Sequence, residues 1–153
     1  MTATTDGSTV LLDDRLCLAL YTASRAMTAR YRPLLSEFGL TYPQYLVMAQ
    51  LWEDGDSPVR RIGERLSLES STLSPLLKRL EVMGFVVRRR SEQDERSVLV
   101  SVTPKGEVLR ERAAEVPTEI CAASGLDPLA QAALVAQLRL LTSRLVQSLE
   151  SDK

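Results

Sequence analysis

The apolar positions of this chain fall into helical spacing along most of its length and into alternation at one place only. Leu16, Leu20, Ala23, Met27, Tyr31 and Leu34 recur at steps of three and four, which predicts a helix with one buried face. Asp13 or Asp14 is placed to cap its start, Gly39 follows its end near Phe38, and Pro33 implies a bend or break within it. A second helix follows Thr41-Tyr42-Pro43, a capping residue ahead of a helix-compatible proline, and carries YLVMAQLW to about Glu53. The turn EDGDSP ends it. Ser57 is then expected to cap a short third helix, VRRIGERL, with Pro58 in its first position. The segment SLESSTLSPLLKRLEVMGF supplies a fourth, opened by hydroxyl residues, striped by Leu73, Leu76, Leu77 and Leu80, and closed at Gly84. Pro75 lies close enough to its first turns for the helix to survive. Two short helices joined by a tight turn have the spacing of a helix-turn-helix.

The one β signal comes next. Phe85 to Arg90 (FVVRRR) and Arg96 to Val102 (RSVLVSV) flank the polar loop SEQDE, and Val98, Val100 and Val102 alternate with Leu99 and Ser101 as a half-buried strand should. This predicts a hairpin with arginines on its arms, placed as a wing. A long helix is expected from Thr103-Pro104 toward Ala123, interrupted at Pro117. Gly125 ends that region and Asp127-Pro128 caps a last helix, whose Leu134, Leu138, Leu141, Leu145 and Leu149 form a near-heptad seam. A chain this small has little surface of its own to cover such a seam. Burial across a dimer, at roughly 1.5–3 kcal/mol per leucine, is the favoured reading, and an ordinary intrachain core helix is the alternative. The predicted fold class is mainly α with a small β-hairpin: a winged helix-turn-helix at 39–103, N- and C-terminal dimerisation helices at 13–38 and 104–153, and a disordered arm at 1–12.

Composition narrows the function. A chain of 153 residues, 44% hydrophobic and 25% charged, is one domain, or one domain with helical extensions, with a real core. No apolar run approaches the roughly 20 residues that cross a bilayer, and MTATTDGSTVLLDD lacks the basic region of a secretory signal. A cytoplasmic protein with no membrane partner is expected. The net charge is −1, but its distribution is uneven. Between Val59 and Arg90 stand Arg60, Arg61, Arg65, Lys78, Arg79, Arg88, Arg89 and Arg90 against Glu64, Glu69 and Glu81, a surplus of +5 that leaves −6 for the rest. A basic face on an acidic body suits a DNA reader with a separate dimerisation region. Ser70, Ser71, Thr72 and Ser74 can reach phosphates or base edges from the start of the proposed recognition helix, unless they serve only as caps. Lys78 and Arg79 follow them. Arg88, Arg89 and Arg90 suit phosphate and minor-groove contact, with a merely solvated strand face as the alternative. There is no histidine, and Cys17 and Cys121 stand 104 positions apart. That excludes a histidine-dependent metal site or triad and matches no zinc spacing. Neither a cofactor nor a metal is expected.

The stretch LSLESSTLSPLLKRLEVMGFVVRRRSEQDERSVLVSVTPKG resembles the DNA-binding core of MarR-family repressors. Asp94-Glu95-Arg96, followed by VSVTPKG, is similar to that family's wing signature. LCLALYTASR with its spaced tyrosines is similar to the organic-hydroperoxide-sensing OhrR type, and the resemblance runs from about Leu16 to Leu149. It implies a homodimer on double-stranded operator DNA, with Ser70 and Thr72 reading from the recognition helix and Arg96 reaching the minor groove, oriented by Asp94. It also implies that Cys17 is the reactive thiol and that Tyr31 and Tyr42 hydrogen-bond it, with Tyr21 as a third candidate. A thiolate attacks the O–O bond and becomes a sulfenic acid. The helix N-terminus favours that anion, while Asp13 and Asp14 oppose it. Cys17 and Tyr31 are fourteen residues apart, about 21 Å on one straight helix, so a bond between them is expected to cross to the other subunit. Leu16, Leu18 and Leu20 favour apolar hydroperoxides. In some relatives of this type a small thiol captures the sulfenic acid; in others a second cysteine of the partner closes an intersubunit disulfide. Cys121 lies in the region where the latter place that thiol, which favours the two-cysteine reading, the alternative being an inert small hydrophobe. Two rivals remain: a MarR-type repressor released by a non-covalent phenolic or aromatic ligand, and a thiol peroxidase. In a peroxidase the basic helix and wing would have no purpose, so the chain is read as no enzyme.

Overall fold

The computed structural model describes residues 11–152, so the expected arm at 1–12 lies outside it apart from Leu11 and Leu12. After a single 3-10 turn, Leu12–Asp14, the elements are α1 (Leu16–Ser36), α2 (Tyr42–Asp54), β1 (Ser57–Pro58), α3 (Val59–Leu66), α4 (Ser70–Val82), β2 (Val86–Arg90), β3 (Val98–Val102), α5 (Pro104–Arg112), α6 (Val116–Ser124) and α7 (Pro128–Ser151). The described chain divides into two compact units, one ending at Ala113 and the other beginning at Ala114.

Helix α2 is the centre of the first unit. A capping box fixes its start: Thr41 Oγ1 accepts from the Gln44 N–H and Gln44 Oε1 accepts from the Thr41 N–H at 2.9 Å. Its Tyr45, Val47, Met48 and Leu51 are buried, and α1, α3, α4, α5 and β3 pack against it. Helices α3 and α4 contribute Ile62, Leu73, Leu77 and Leu80 to the same core. The tight turn between them uses Ser67 in the left-handed region (φ 52).

The expected hairpin is present, with a third strand added. The antiparallel sheet has the order β1-β3-β2, with Ser57 opposite Val100, Val86 opposite Val102 and Arg90 opposite Val98. Ser57 is therefore not the cap of α3. As the residue before a proline it is driven to extended backbone; it pairs with β3, and Pro58 takes the N-cap position. As the central strand, β3 loses the clean alternation read from its sequence. Val100 and Ser101 are both buried where α2, α3 and α5 close over it.

Four further expectations need correction. Asp13 and Asp14 belong to the 3-10 turn, and Arg15 takes the N-cap position of α1 without a side-chain capping bond. Pro33 neither breaks nor ends α1; the carbonyl it leaves unbonded, that of Ala29, belongs to an exposed residue open to water. The apolar face of α1 is not buried within the chain: Leu16 is 57% exposed, Met27 40%, and Leu35 is the buried residue of this helix. The long helix after the wing is two helices, because Pro117 takes a first-turn position that suits it and opens α6. In the second unit Asp127 caps α7, accepting from the Ala130 N–H at 2.8 Å. No residue of α7 is buried, so its leucine seam forms no core within the second unit.

Gly106, in the first turn of α5, shows how tightly the wing root is built. A Cβ there would collide with the Phe85 carbonyl oxygen and stand 2.5 Å from Val102 Cγ1. Gly106→Ala is expected to cost about 1–3 kcal/mol, as overpacked cores do, seen as a lower urea midpoint at unchanged slope.

Candidate functional site

Helix α4 sorts its residues by face. Leu73, Leu77 and Leu80, at steps of four and three, are buried, while Ser70, Ser71, Thr72, Ser74, Lys78 and Arg79 are exposed. None of the four hydroxyl residues caps the helix; Glu69 holds that position and makes no side-chain bond. Their role as plain caps is thereby set aside. Leu73, Leu77 and Leu80 anchor the helix while its polar side stays available.

The basic residues divide into paired and unpaired. Arg65 is held by Asp54 at 2.7 Å and Glu53 at 2.9 Å, Arg61 lies 3.6 Å from Asp54, and Arg60 pairs with Glu64 at 2.8 Å. Arg88 is drawn to Glu81 of α4 at 2.5 Å, and Arg89 donates to Ser101 Oγ at 3.4 Å. Among the described residues Lys78, Arg79, Arg90 and Arg96 have no carboxylate partner. The surplus of charge counted along the sequence therefore overstates the free surface, because Glu53 and Asp54 fold back from outside the counted stretch. In the wing loop Asp94 meets Arg96 through the main chain, its Oδ1 accepting from the Arg96 N–H at 3.0 Å. Ser91 Oγ accepts from the N–H groups of Gln93 and Asp94, both at 3.3 Å, so the loop is bonded internally. That leaves the Arg96 side chain unpaired at the wing.

The thiol residues fall in separate places. Cys17 is exposed in the first turn of α1. Tyr21, one turn further on the same face, is 60% exposed and carries the Arg25 guanidinium 5.6 Å from its ring centre. Tyr31 sits near the other end of α1 and stacks on Tyr42, with ring centres 4.4 Å apart. Because α1 is unbroken, Cys17 and Tyr31 are held about 21 Å apart along it. The structure thus brings Tyr31 and Tyr42 together and keeps Cys17 of the same chain from both. Tyr45, which the sequence motifs do not single out, joins the pair at 5.6 Å from Tyr31; its signal was its place three residues after Tyr42 on one helix face. Burial raises the Tyr42 hydroxyl above its ordinary value, and burial followed by the nearby Tyr42 charge raises Tyr45. Cys121, in the second unit, is half-buried on α6 and lines a cleft of about 550 Å³ with Thr118, Leu126, Pro128 and Val135.

Comparison with known proteins decides the family. The family described as Transcriptional regulator SarA/Rot matches residues 29–112. The Organic hydroperoxide resistance transcriptional regulator of Bacillus subtilis is 50% identical over 109 residues, covering 71% of this chain and 74% of that one. This chain belongs to the MarR/SarA type of winged-helix transcriptional regulators. Among solved structures, the regulator is similar to reduced AbfR bound to DNA, with TM-score 0.73, 34% identity, and 88% and 94% of the two chains covered. It is also similar to AbfR with its disulfide formed, with TM-score 0.61, 36% identity, and coverage of 86% and 92%. AbfR comes from Staphylococcus epidermidis. The winged core of the regulator, α3 to β3, is the part where the exposed hydroxyls and unpaired cations gather. No helix among its described residues is long and apolar enough to cross a membrane.

The tyrosine pair gives a pH test. Both hydroxyls lie above their ordinary value of 10.0, so the fold disfavours their phenolates. Stability from this source is full below about pH 10 and is lost as pH rises through the folded values. An absorbance titration of the folded regulator is expected to show late ionisation of Tyr42 and Tyr45. In Tyr42→Phe one disappears, and Tyr45 ionises earlier than in the wild type because the neighbouring charge is gone.

Proposed function

We propose that this regulator is a cytoplasmic, redox-sensing repressor whose reduced homodimer binds operator DNA and is released when an organic hydroperoxide oxidises Cys17. The unbroken α1 carries the reading: it holds the thiol at one end and the stacked Tyr31–Tyr42 pair at the other, so thiol and phenols meet only between two chains. The uncovered apolar faces of α1 and α7 supply the surface for that pairing. In domain terms, 13–38 and 104–153 form the dimerisation region and 39–103 the DNA-binding region.

On DNA, Ser70, Ser71, Thr72, Ser74, Lys78 and Arg79 line the side of α4 that enters the major groove, and Arg90, Asp94 and Arg96 form the wing at the minor groove, with Arg88 joining them where DNA phosphate displaces its partner Glu81. Two half-sites follow from the two-fold axis, roughly 10–10.5 base pairs apart or a multiple of that. The similarity to reduced AbfR on DNA supports this assignment.

At the sensor, the Cys17 thiolate attacks the distal oxygen of the hydroperoxide. The O–O bond breaks, the alkoxide takes a proton and leaves as an alcohol, and Cys17 becomes a sulfenic acid. Tyr31, Tyr42 and Tyr21 are the hydroxyl donors assigned to the thiolate. The thiol of Cys121 of the partner subunit then displaces water from the sulfenic sulfur and closes an intersubunit disulfide. The kinship to an organic hydroperoxide resistance regulator and to a disulfide-forming AbfR supports both steps.

The test is a non-reducing gel beside operator binding after stoichiometric cumene hydroperoxide, for wild type, Cys17→Ser and Cys121→Ser. A linked dimer that needs both cysteines, with loss of binding, is the expected result. Release that needs Cys17 without a linked dimer replaces the disulfide by small-thiol capture. If neither cysteine matters, the redox reading fails and a non-covalent ligand takes its place. The DNA face has its own check. Arg90→Ala and Arg96→Ala are each expected to lower the salt dependence of operator binding by about one unit of slope, the share of one phosphate neutralised by one cation. Arg61→Ala, whose cation is already turned to Asp54, leaves it nearly unchanged.

A further inference from the structure

One face of α2 carries a line of rings out of the tyrosine pair. Tyr45 lies 5.6 Å from Tyr31, and Trp52, two turns further along α2, meets Tyr45 edge-on at 6.3 Å. Trp52 Nε1 then donates to the Gly106 carbonyl at 3.1 Å, across 54 positions of sequence. Between the two rings the same helix face places Met48, which is fully buried.

Gly106 is a junction. A side chain at this position would collide with Phe85 and Val102 and touch Met48, so the first turn of α5 lies hard against the roots of both wing strands. That turn also holds the end of α4. Thr103 Oγ1 donates to the Gly84 carbonyl at 2.5 Å and Lys105 Nζ to the Met83 carbonyl at 2.8 Å, while the Thr103 N–H donates to the Phe85 carbonyl at 3.0 Å. The bond from Trp52 therefore ends on the segment that sets where α4 stops and where the wing begins.

We infer that Trp52 is a positioning residue that passes the state of the Tyr31–Tyr42 pair to the recognition helix and the wing. This rests on the redox reading above. When oxidation of Cys17 changes what the tyrosine hydroxyls bond, a shift of Tyr42 and Tyr31 moves Tyr45, and Trp52 carries the shift to Gly106 because its indole is fixed at both ends. Packed interiors transmit such displacements as discrete rearrangements. Trp52 touches neither the thiol nor the DNA-facing side chains; it acts through α5.

Trp52 is the chain's one tryptophan, so its emission reports this contact without any substitution. In full-length wild-type protein treated with cumene hydroperoxide, Trp52 fluorescence is expected to change at the rate of operator release, and to stay constant in Cys17→Ser. Trp52→Phe keeps a ring beside Tyr45 and removes the N–H. That variant is expected to consume hydroperoxide at the wild-type rate and to bind operator normally when reduced. Its loss of operator affinity on oxidation shrinks by about tenfold, within the usual range of coupling between sites. A purely structural role would lower reduced and oxidised affinity alike and leave their ratio unchanged, which would overturn the inference. So would unchanged emission in wild-type protein that is oxidised and released, a result that does not depend on the variant folding. Wild-type protein whose Cys17 stays reduced under hydroperoxide would overturn the redox reading itself, and the inference with it.

Discussion

The burial of α2 is the constraint on which the first unit depends. Five elements pack against this one helix, and its start is fixed by the reciprocal bonds of Thr41 and Gln44. That start sets where Tyr42 stands, and therefore what Tyr31 can stack on. The far end of the same helix presents Glu53 and Asp54 to Arg61 and Arg65 of α3. A single buried element thus positions the aromatic cluster at one end and decides which cations are free at the other. Exposed ion pairs of this kind contribute little to stability. Their effect here is to remove Arg61 and Arg65 from the available positive surface and leave that surface to α4 and the wing.

The two units differ in how far they satisfy themselves. The first has a closed core of leucines, valines and aromatic rings. The second presents Leu129, Leu134, Leu140, Leu145 and Leu149 of α7 to solvent, each well exposed. An apolar helix of 24 residues with no buried side chain is not a finished surface for an isolated chain, since a contiguous apolar patch of this kind marks an interaction site. The exposed stripe of α1 has the same character. The elements left unfinished are the ones that lie outside the helix-turn-helix and wing.

Much of this was legible in the sequence because the signals were local. Thr41 ahead of Pro43, Asp127 before Pro128, and Gly39 and Gly125 at helix ends each act within a turn, and each stands where the residues implied. The family motif around Asp94 and Arg96 was legible for the same reason. What was not legible depends on contacts between distant segments. Ser57–Pro58 is too short to read as a strand and becomes one through Val100 and Leu99 of β3. The pairing of Arg65 with Glu53 and Asp54 follows from how α3 lies on α2, and charge counting along a stretch of sequence cannot see it. Asp13 and Asp14 looked like caps because their chemistry suits that place, yet the chain uses them one turn earlier. Tyr45 and Trp52 belong to no motif in the sequence, and only the fold shows that they line up.

The two-residue strand β1 has a consequence of its own. By pairing with β3 immediately before α3 begins, it welds the helix-turn-helix to the wing. The two parts of the proposed interface are thereby joined through one sheet. The exposed residues of α4 can be exchanged without touching the aromatic cluster, and the residues around Cys17 lie on a different helix from them. Under the proposed function, a lineage built on this scaffold can change what it reads and what it senses separately, while the β1–β3 pairing keeps the helix-turn-helix joined to the wing.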